Sequence, residues 1–243
     1  MMFRRLFLLA SVLVFGPLQA ASGGPVEGLV LPFRQVEVSA PVSSRLTDMK
    51  VKEGDMVKEG QPLAVLYGRL EELEMQRAKA LLERREFEAK SAKRLFDNKI
   101  IPEAKALESR IDCDLARLQY ETAAEQVRLR TVLSPLDGVV VARSREAGET
   151  VSTGQPLFRI LDLSKVVVQF SVRSKALAIL APGQKVRVSL PQLADLAALE
   201  GEVALVDPCA DADGRVRVRV VVENTHHKIR SGLKAQVEWS GPE

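Results

Sequence analysis

Apolar and polar residues alternate in two segments of the chain that match each other. Residues 40–66 recur at 134–160 with a constant offset of 94 positions and no gap, and Gly-Gln-Pro-Leu at 60–63 returns at 154–157. Each copy reads as short strands joined by glycine turns, at Gly54 and at Gly148. Because one copy alone would leave an apolar face uncovered, the two halves are predicted to close on each other as a small β-sandwich.

The stretch between the two halves has the composition of helices. Residues 69–98 contain no Gly or Pro and are rich in Leu, Ala, Glu, Lys and Arg, which predicts a helix of about 30 residues. A second helix is predicted to begin near Pro102, and the short loop between them requires an antiparallel return. The leucine-rich stripes of the two helices are predicted to face each other as a coiled coil. These stripes are Leu70, Leu73, Leu81, Ala92 and Leu95, and Ala104, Leu107, Ile111, Leu115, Leu118 and Leu129.

The loop of this hairpin is the candidate contact surface. Neither helix is apolar all round, so the hairpin should project into solvent with Ile100 and Ile101 exposed at its tip. Two large apolar residues there favour contact with another protein; the alternative is that they cap the interface between the helices. Cys113 and Tyr120 are placed on the opposite face of the second helix, as packing or surface residues.

From Val166 onwards the pattern predicts five strands and a small antiparallel β-barrel. The strands are predicted at 166–172, 185–190, 201–207, 215–224 and 234–240, with a short helix near 174–180. Valines at 216, 218, 220 and 222 alternate with arginines at 215, 217 and 219, as on a half-exposed sheet. The arginine face is predicted to be solvated; a basic recognition surface is the alternative.

The first twenty residues have the layout of a secretory signal peptide. Arg4 and Arg5 precede an apolar run that ends at Phe15, and the small residue Ala20 follows, so cleavage is expected after Ala20. The apolar run is about half of the roughly 20 residues that a membrane span needs. No Cys lies near the cleavage site, so no lipid anchor is expected, and any hold on a membrane should come through a protein partner.

Charge and side-chain chemistry exclude several classes of function. Removal of Arg4 and Arg5 lowers the formal net charge from +3 to +1, which implies no nucleic acid or other polyanionic partner. No catalytic arrangement can be assembled, so no enzyme activity, metal or cofactor is predicted. His226 and His227 are adjacent and should point to opposite sides; a metal site with Glu223, or with Asp211 and Asp213, is the alternative. Cys113 and Cys209 are expected to be free thiols in different domains.

The two matching halves resemble those of the biotinyl/lipoyl carrier fold. Each carries a glycine turn and a V-x-x-G-Q-P-L segment. Carriers join their halves by a hairpin that bears a modified Lys, which would follow Leu66, but the chain continues Tyr-Gly-Arg-Leu into a helix. Met49-Lys50 imitates part of a biotinylation motif, yet it lies upstream of the Gly54 turn and is not expected to be modified.

The order of all these parts resembles the membrane fusion proteins, or periplasmic adaptor subunits, of tripartite efflux and secretion systems. The more specific pieces are Ala40-Pro41, Glu53-Gly54-Asp55, Gly60-Gln61-Pro62-Leu63, Ser134-Pro135-Leu136-Asp137-Gly138 and the stretch 201–239. The resemblance implies a non-catalytic periplasmic adaptor that links an inner-membrane transporter, of RND or ABC type, to an outer-membrane channel. It also implies a ring of copies, possibly six. The alternatives are a lipoyl/biotinyl-type carrier and a free-standing periplasmic metal- or ligand-binding protein.

This resemblance implies a mainly β fold with an inserted helical hairpin. The expected parts are a signal peptide at 1–20, a split lipoyl-like domain at 28–68 and 132–162, the hairpin at 69–131 and a β-barrel at 163–243. The resemblance also assigns partner binding to the hairpin tip. Its residues are Arg94, Leu95, Asn98, Lys99, Ile100, Ile101 and Pro102.

Several positions depart from the family pattern. Efflux adaptors often carry Arg, Leu and Ser around the tip, and the corresponding positions are Ser91, Leu95 and Pro102. Ser44 replaces a glycine of the first half, and Ser231 replaces the proline of a Pro-Gly pair in the barrel. The chain stops at Glu243, so no membrane-proximal domain is expected after the barrel.

Overall fold

The structure is a computed structural model that describes residues 23–173, 180–193 and 198–239. These residues form two compact units. The sandwich unit contains residues 32–166 and 224–230, and the barrel unit contains residues up to Leu31, 167–223 and those from Ser231. The predicted signal peptide and nearly all of the short helix expected near 174–180 lie outside the described residues.

Twelve strands and two helices are described, and they follow the predicted order closely. In chain order they are β1 (Gly23–Ser39), β2 (Ser44–Met49), β3 (Met56–Val57), β4 (Pro62–Leu66), α1 (Arg69–Asp97), α2 (Glu103–Arg128), β5 (Thr131–Leu133), β6 (Gly138–Arg143), β7 (Thr150–Val151), β8 (Pro156–Arg173), β9 (Lys185–Ser189), β10 (Leu199–Ala210), β11 (Arg215–Glu223) and β12 (Lys234–Trp239). The prediction of a mainly β chain with an inserted helical hairpin is confirmed.

The internal repeat reappears in the backbone hydrogen bonds of the sandwich unit. The N–H of Gly54 donates to the carbonyl of Val140, and the N–H of Gly148 donates to that of Leu46, both at 2.8 Å. Leu46 and Val140 are themselves repeat equivalents, so each half supplies the same bond to the other. The two glycines have φ of 92° and 95°, a conformation that other residues adopt at a cost. The halves therefore close on each other around a pseudo-twofold relation, as the repeat predicts.

Equivalent apolar positions of the two halves fill one core. Leu63 and Leu157 are completely buried; of the next equivalent pair, Ile160 is completely buried and Leu66 is nearly so. Val57 and Val151, on the two-residue strands β3 and β7, complete the cluster from both sides. The strand pairs β2–β4, β4–β5, β2–β7, β3–β6 and β6–β8 hold these residues in place.

The barrel unit is a closed antiparallel sheet. Its strands follow the order β1-β12-β9-β10-β11-β8, and a further β1–β8 pairing closes the ring. On β11, the valines at the alternate positions 216, 218, 220 and 222 are at most 3% exposed, while Arg215 and Arg217 are exposed, which confirms the predicted alternation. Trp239 stacks on Phe170 inside the unit, with ring centroids 5.9 Å apart. Strand β1, which pairs with β12 from Gly23 to Leu29, was not predicted.

Candidate functional site

The helices α1 and α2 form the predicted antiparallel hairpin, but they meet through a different face. The residues between them recur at alternating spacings of three and four, and they are mostly small. This set, the helix seam, is Met75, Ala78, Leu82, Arg85, Ala89 and Ala92 on α1, and Ala106, Ser109, Cys113, Ala116, Tyr120, Ala123 and Val127 on α2. Small side chains at this heptad spacing allow close approach of the two backbones.

The leucine stripes predicted to form this seam are largely solvent-exposed, so that prediction is wrong. Leu107, Ile111, Leu115 and Leu118 are 50–59% exposed, and Leu70 is 71% exposed. Of the predicted stripes, only Ala92 is buried. The predicted stripes consist mainly of large apolar residues, whereas the contact between these helices is made mostly by small residues.

The prediction that Cys113 and Tyr120 lie on the face of α2 opposite the contact with α1 is wrong. Cys113 is 6% exposed and lies in the helix seam, and Tyr120 is partly buried there. Cys113 and the exposed Cys209 are both free thiols.

Ion pairs connect the two helices on either side of the seam. Arg85 pairs with Asp112 at 3.2 Å, and Arg117 pairs with Glu86 at 3.4 Å. Arg85 also reaches Glu88, which in turn accepts from Arg84 at 2.9 Å. The hydrogen bond from Arg84, followed by that from Arg85, holds the pKa of Glu88 below its usual value. Such exposed pairs contribute little each, but they fix the level at which the helices face each other.

A partly buried contact at the base joins the hairpin to the sandwich. Arg130 pairs with Glu71 on α1 and donates to the carbonyl of Tyr67 at 3.2 Å. Its side chain packs on Gly68, where an added Cβ would lie 2.6 Å from an Arg130 carbon. The carbonyl of Arg130 also accepts from Leu66, the last residue of β4, at 2.7 Å. The start of α1 and the end of α2 are therefore tied to the same strand.

The hairpin tip, residues 98–102, has a defined backbone turn. Lys99 adopts φ of 59°, and its N–H donates to the carbonyl of Phe96 while that of Ile100 donates to Leu95, both at 2.8 Å. This pair of bonds is the Schellman arrangement, in which the left-handed position usually holds glycine. Pro102, predicted as the first helical position, instead caps α2 in an extended conformation, and the helix begins one residue later at Glu103.

This turn leaves Ile100 projecting into solvent. Its side chain is 65% exposed, and Leu95 on the preceding helical turn is 40% exposed. Ile101 is partly buried. Arg94, Asn98 and Lys99, which are polar or positively charged, are also exposed in this part of the hairpin. The structure thus leaves all the predicted tip residues except Ile101 exposed at this end of the hairpin.

Possible metal ligands do not gather in one place among the described residues. No cluster of three or more His, Cys, Asp or Glu side chains occurs among them. His226 and His227 are exposed on a turn, where His227 has φ of 50°. In the same part of the chain, no helix has both the length and the apolar character of a membrane span.

The carrier alternative has no lysine at the junction where it requires one. β4 ends at Leu66, Gly68 caps α1, and the helix begins at Arg69. Lys50 is exposed after β2 and pairs with Asp48 at 2.5 Å, and this hydrogen bond lowers the pKa of Asp48. The position between the halves is occupied by the hairpin.

Two curated relatives match most of the chain. The nodulation protein NolF of Rhizobium meliloti is 26% identical over 223 residues, covering 86% of this chain and 60% of the relative. The nickel and cobalt resistance protein CnrB of Cupriavidus metallidurans is 25% identical over 235 residues, covering 89% of this chain and 58% of the relative. The chain therefore spans about three fifths of the length of these relatives.

Solved structures share the fold at lower identity. A MacA-MexA chimeric protein that contains the Pseudomonas aeruginosa MexA α-hairpin domain matches with a TM-score of 0.78, at 23% identity over 90% of this chain and 82% of that chain. The membrane fusion protein Spr0693 from Streptococcus pneumoniae R6 matches with a TM-score of 0.70, at 18% identity over 91% of this chain and 100% of that chain.

Two family models divide the chain between them. The model of the RND MFP barrel-sandwich hybrid domain matches residues 34–163, and that of the CusB-like β-barrel domain matches residues 165–243. The first model alone covers more than half of the sequence and includes both repeat halves with the hairpin between them. The chain belongs to the RND membrane fusion protein family.

Proposed function

We propose that this chain is a periplasmic adaptor that connects an inner-membrane transporter to an outer-membrane channel. The observation that carries the proposal is the helical hairpin, which replaces the lysine-bearing hairpin of a carrier and presents Ile100 at its far end. α1 has 29 residues. At about 1.5 Å per residue it extends roughly 44 Å, long enough to reach a partner well away from the sandwich.

The tip is the surface proposed to bind the channel. Ile100 is the apolar centre, Leu95 extends the apolar area along α1, and Arg94 and Lys99 supply positive charge at the rim. An apolar centre with a polar rim is the usual anatomy of a protein interface. Asn98, Ile101 and Pro102 complete the set by fixing the turn. Of the three tip positions typical of efflux adaptors, only Leu95 carries the usual residue. We therefore propose a channel whose binding surface is complementary to this particular tip.

The base of the hairpin also supports an adaptor role, because it fixes the hairpin relative to the sandwich. Arg130, Glu71 and the backbone of Leu66 and Tyr67 join both helices to one strand of the sandwich. An adaptor needs such a junction, because a partner bound at the tip has to stay at a fixed position relative to the sandwich and to any protein that binds the sandwich.

Export and assembly complete the proposal. We infer that residues 1–20 direct the chain to the periplasm and that several copies act together as a ring, possibly of six. CnrB is named for nickel and cobalt resistance and NolF for nodulation. These different names are consistent with an adaptor whose cargo is chosen by its transporter. A transporter of RND type agrees with the family, and the cargo follows from that partner.

The experiment is site-specific photo-crosslinking in intact cells of the native host. A photoreactive amino acid replaces Ile100, and a matched variant carries it at Lys79, an exposed position on α1 about 30 Å from the tip. The proposal expects an outer-membrane channel to be labelled from position 100 and not from position 79. Equal labelling from both positions, or no envelope protein labelled from position 100, would contradict tip docking.

A further inference from the structure

The arginine row on β11 begins with a side chain that the fold leaves without a partner. Arg217 pairs with Asp207 at 2.6 Å, and Nε of Arg219 donates to the side-chain oxygen of Gln169 at 3.2 Å. Arg215, at the start of β11, is exposed, and among the described residues its guanidinium group has neither a hydrogen bond nor an ion pair. One of the three guanidinium groups is therefore available to a ligand from outside the chain.

Arg215 borders a hollow of about 500 Å³ on the barrel unit. Four strands line this hollow: β12 contributes Lys234, β1 contributes residues 26–29, β8 contributes residues 169–171, and β11 contributes Arg215. These strands are neighbours at the place where the β1–β8 pairing closes the barrel. The volume is within the range of small-molecule sites, about 300–1,000 Å³.

The hollow carries a net positive charge. Its charged lining consists of Arg215, Lys234 and Glu27. Lys234 and Glu27 are both mostly exposed, and their charged atoms are 4.0 Å apart, so they neutralise each other only weakly. Another positive charge is close, because β8 ends at exposed Arg173 and its antiparallel neighbour β11 begins at Arg215. Like charges on adjacent strands repel each other, and a bound anion would relieve that repulsion.

Polar groups in the hollow can bond a ligand that has both an anionic group and hydroxyls. The side-chain oxygen of Gln169 accepts from Arg219, which leaves its amide nitrogen as a donor. The hydroxyl of Ser171 is exposed beside it. The carboxylate of Glu27 can accept hydrogen bonds but repels an anion, so it suits the hydroxyls of a ligand whose charged group lies nearer Arg215.

Large apolar side chains are scarce around the hollow. In the described part of the barrel unit, Leu29 and Leu205 are the two that are exposed, and only Leu29 lines the hollow. A protein interface usually has an apolar centre with a polar rim, whereas the centre here is charged. The lining therefore favours a small anionic ligand over a protein partner.

We propose that the hollow binds the headgroup of an anionic phospholipid of the phosphatidylglycerol type. The phosphate lies between Lys234 and Arg215, whose planar guanidinium group matches the geometry of phosphate oxygens. The glycerol hydroxyls of the headgroup bond to Glu27, and Leu29 packs beside the ester end of the lipid. A phosphodiester carries one negative charge, which balances the net charge of these three charged side chains.

The source of the phosphate is a membrane. A soluble phosphate ester has the same chemistry, and the choice of a lipid rests on the proposed adaptor function, which places the chain beside the inner membrane. The surface of a membrane that contains anionic lipids attracts Lys and Arg side chains within about one Debye length. The barrel unit then contacts the membrane directly, in addition to any attachment through a transporter.

The site is tested by flotation of the purified chain with vesicles of phosphatidylcholine, alone or with added phosphatidylglycerol. The parent chain should bind the phosphatidylglycerol vesicles more tightly. Combining Arg215→Gln with Lys234→Gln should weaken this binding roughly thirty-fold, about five-fold for each charge at an anionic surface. Both side chains are exposed, so the variant should melt at the same temperature as the parent.

The matched control removes two positive charges from another strand of the same unit, by Lys185→Gln with Arg187→Gln on β9. Both side chains are exposed, and neither lines the hollow. This control should bind phosphatidylglycerol vesicles nearly as tightly as the parent. Equal losses in the two double variants would indicate general attraction of positive charge and would overturn the site. Equal binding of the parent to both kinds of vesicle would overturn it as well.

Soluble glycerol phosphate distinguishes the two sources of the ligand. If calorimetry detects binding of this ester to the parent, and the chain does not bind the vesicles, the hollow belongs to a free phosphate ester and the membrane contact is overturned. The vesicle assay uses the purified chain without transporter or channel. Its failure would leave tip docking standing, and loss of tip labelling in cells would leave lipid binding standing.

Discussion

Gly138 shows how a single residue breaks the symmetry of the repeat. An added Cβ there would lie 2.4 Å from the carbonyl oxygen of Leu161. The equivalent position in the first half is Ser44, whose hydroxyl donates to the carbonyl of Tyr67 at 2.9 Å. Tyr67 is itself the equivalent of Leu161, so the first half leaves room for a side chain where the second does not. The substitution is visible in the sequence, but its reason depends on a distance between strands.

Gly138→Ala should therefore destabilise the chain much more than Ser44→Ala. A methyl group forced against a backbone carbonyl costs about 1–3 kcal/mol, whereas loss of one exposed hydrogen bond costs about 1 kcal/mol or less. Urea unfolding followed by circular dichroism measures both values. Equal losses for the two variants would contradict the close approach at Gly138.

Lys99 occupies the left-handed position of the tip turn. A non-glycine residue in this conformation costs about 1–2 kcal/mol, so Lys99→Gly should stabilise the hairpin and Lys99→Val should destabilise it. Thermal melting of the helical signal at 222 nm is the measurement. Because the substitution removes a positive charge from the tip, Lys99→Asn serves as the control, since asparagine tolerates the same backbone with a polar side chain. A decrease in melting temperature with glycine would contradict the turn.

Asp162 links stability to pH. Burial raises the pKa of its carboxyl, but bonds from the Ser164 hydroxyl, the Ser164 N–H and Arg34 outweigh this effect, and the pKa is lowered. A lowered pKa contributes stability above the unfolded value, near 3.9, which is lost as the pH falls through the folded value.

Asp162→Asn should accordingly be less stable than the parent chain at pH 7, and the difference should shrink as the pH falls below about 4. Denaturant midpoints measured from pH 7 to pH 3 give this comparison. A difference that is constant over this range would mean that the charge of Asp162 makes no contribution.

At the scale of elements, the composition of residues 69–128 was sufficient to predict two helices but not the face through which they meet. The leucines form the most apolar stripe on a helical wheel. Leu115 is nevertheless 54% exposed, while its neighbour Ala116 is 3% exposed. The alanines repeat at heptad spacing, and this signal was present in the sequence. Which of two competing stripes forms the contact depends on the surface of the other helix.

Exchanging the sizes of these two neighbours separates the two faces. Ala116→Leu should reduce the stability of the hairpin by about 1–3 kcal/mol, because the seam has no space for the added atoms. Leu115→Ala should change it by less than about 0.5 kcal/mol, since that side chain is largely exposed. Circular dichroism during urea titration reports both. A larger loss with Leu115→Ala would support the leucine seam instead.

The sequence predicts some strands and misses others, for a physical reason. Strand β11 has Val at every second position from 216 to 222, and its buried face follows directly from that period. Strand β1 contains two prolines and three glycines, residues that usually interrupt strands, and it is held by pairing with β12 some two hundred residues away. Local pattern predicts the first kind of strand, and only the tertiary fold reveals the second.

At the scale of the whole molecule, the internal repeat and the hairpin inserted in it explain how the chain is organised. Two halves with matching turns and hydrogen bonds form one sandwich, and the insertion between them holds a projecting tip at one end and a fixed junction at the other. The sequence was enough to infer this organisation because the repeat is free of gaps. The partners at the tip were not readable to the same degree, since a binding surface is defined jointly with a protein whose residues are absent from this chain.

The composition of the complex formed in the native envelope decides whether this chain acts as an adaptor. The chain is tagged at its C-terminus, crosslinked in intact cells and purified, and its partners are identified by mass spectrometry for the parent and for Ile100→Asp. If the chain is an adaptor, the parent should bring down an inner-membrane transporter and an outer-membrane channel together, and Ile100→Asp should lose the channel and keep the transporter. Recovery of neither partner, or a channel yield unchanged by Ile100→Asp, would contradict it.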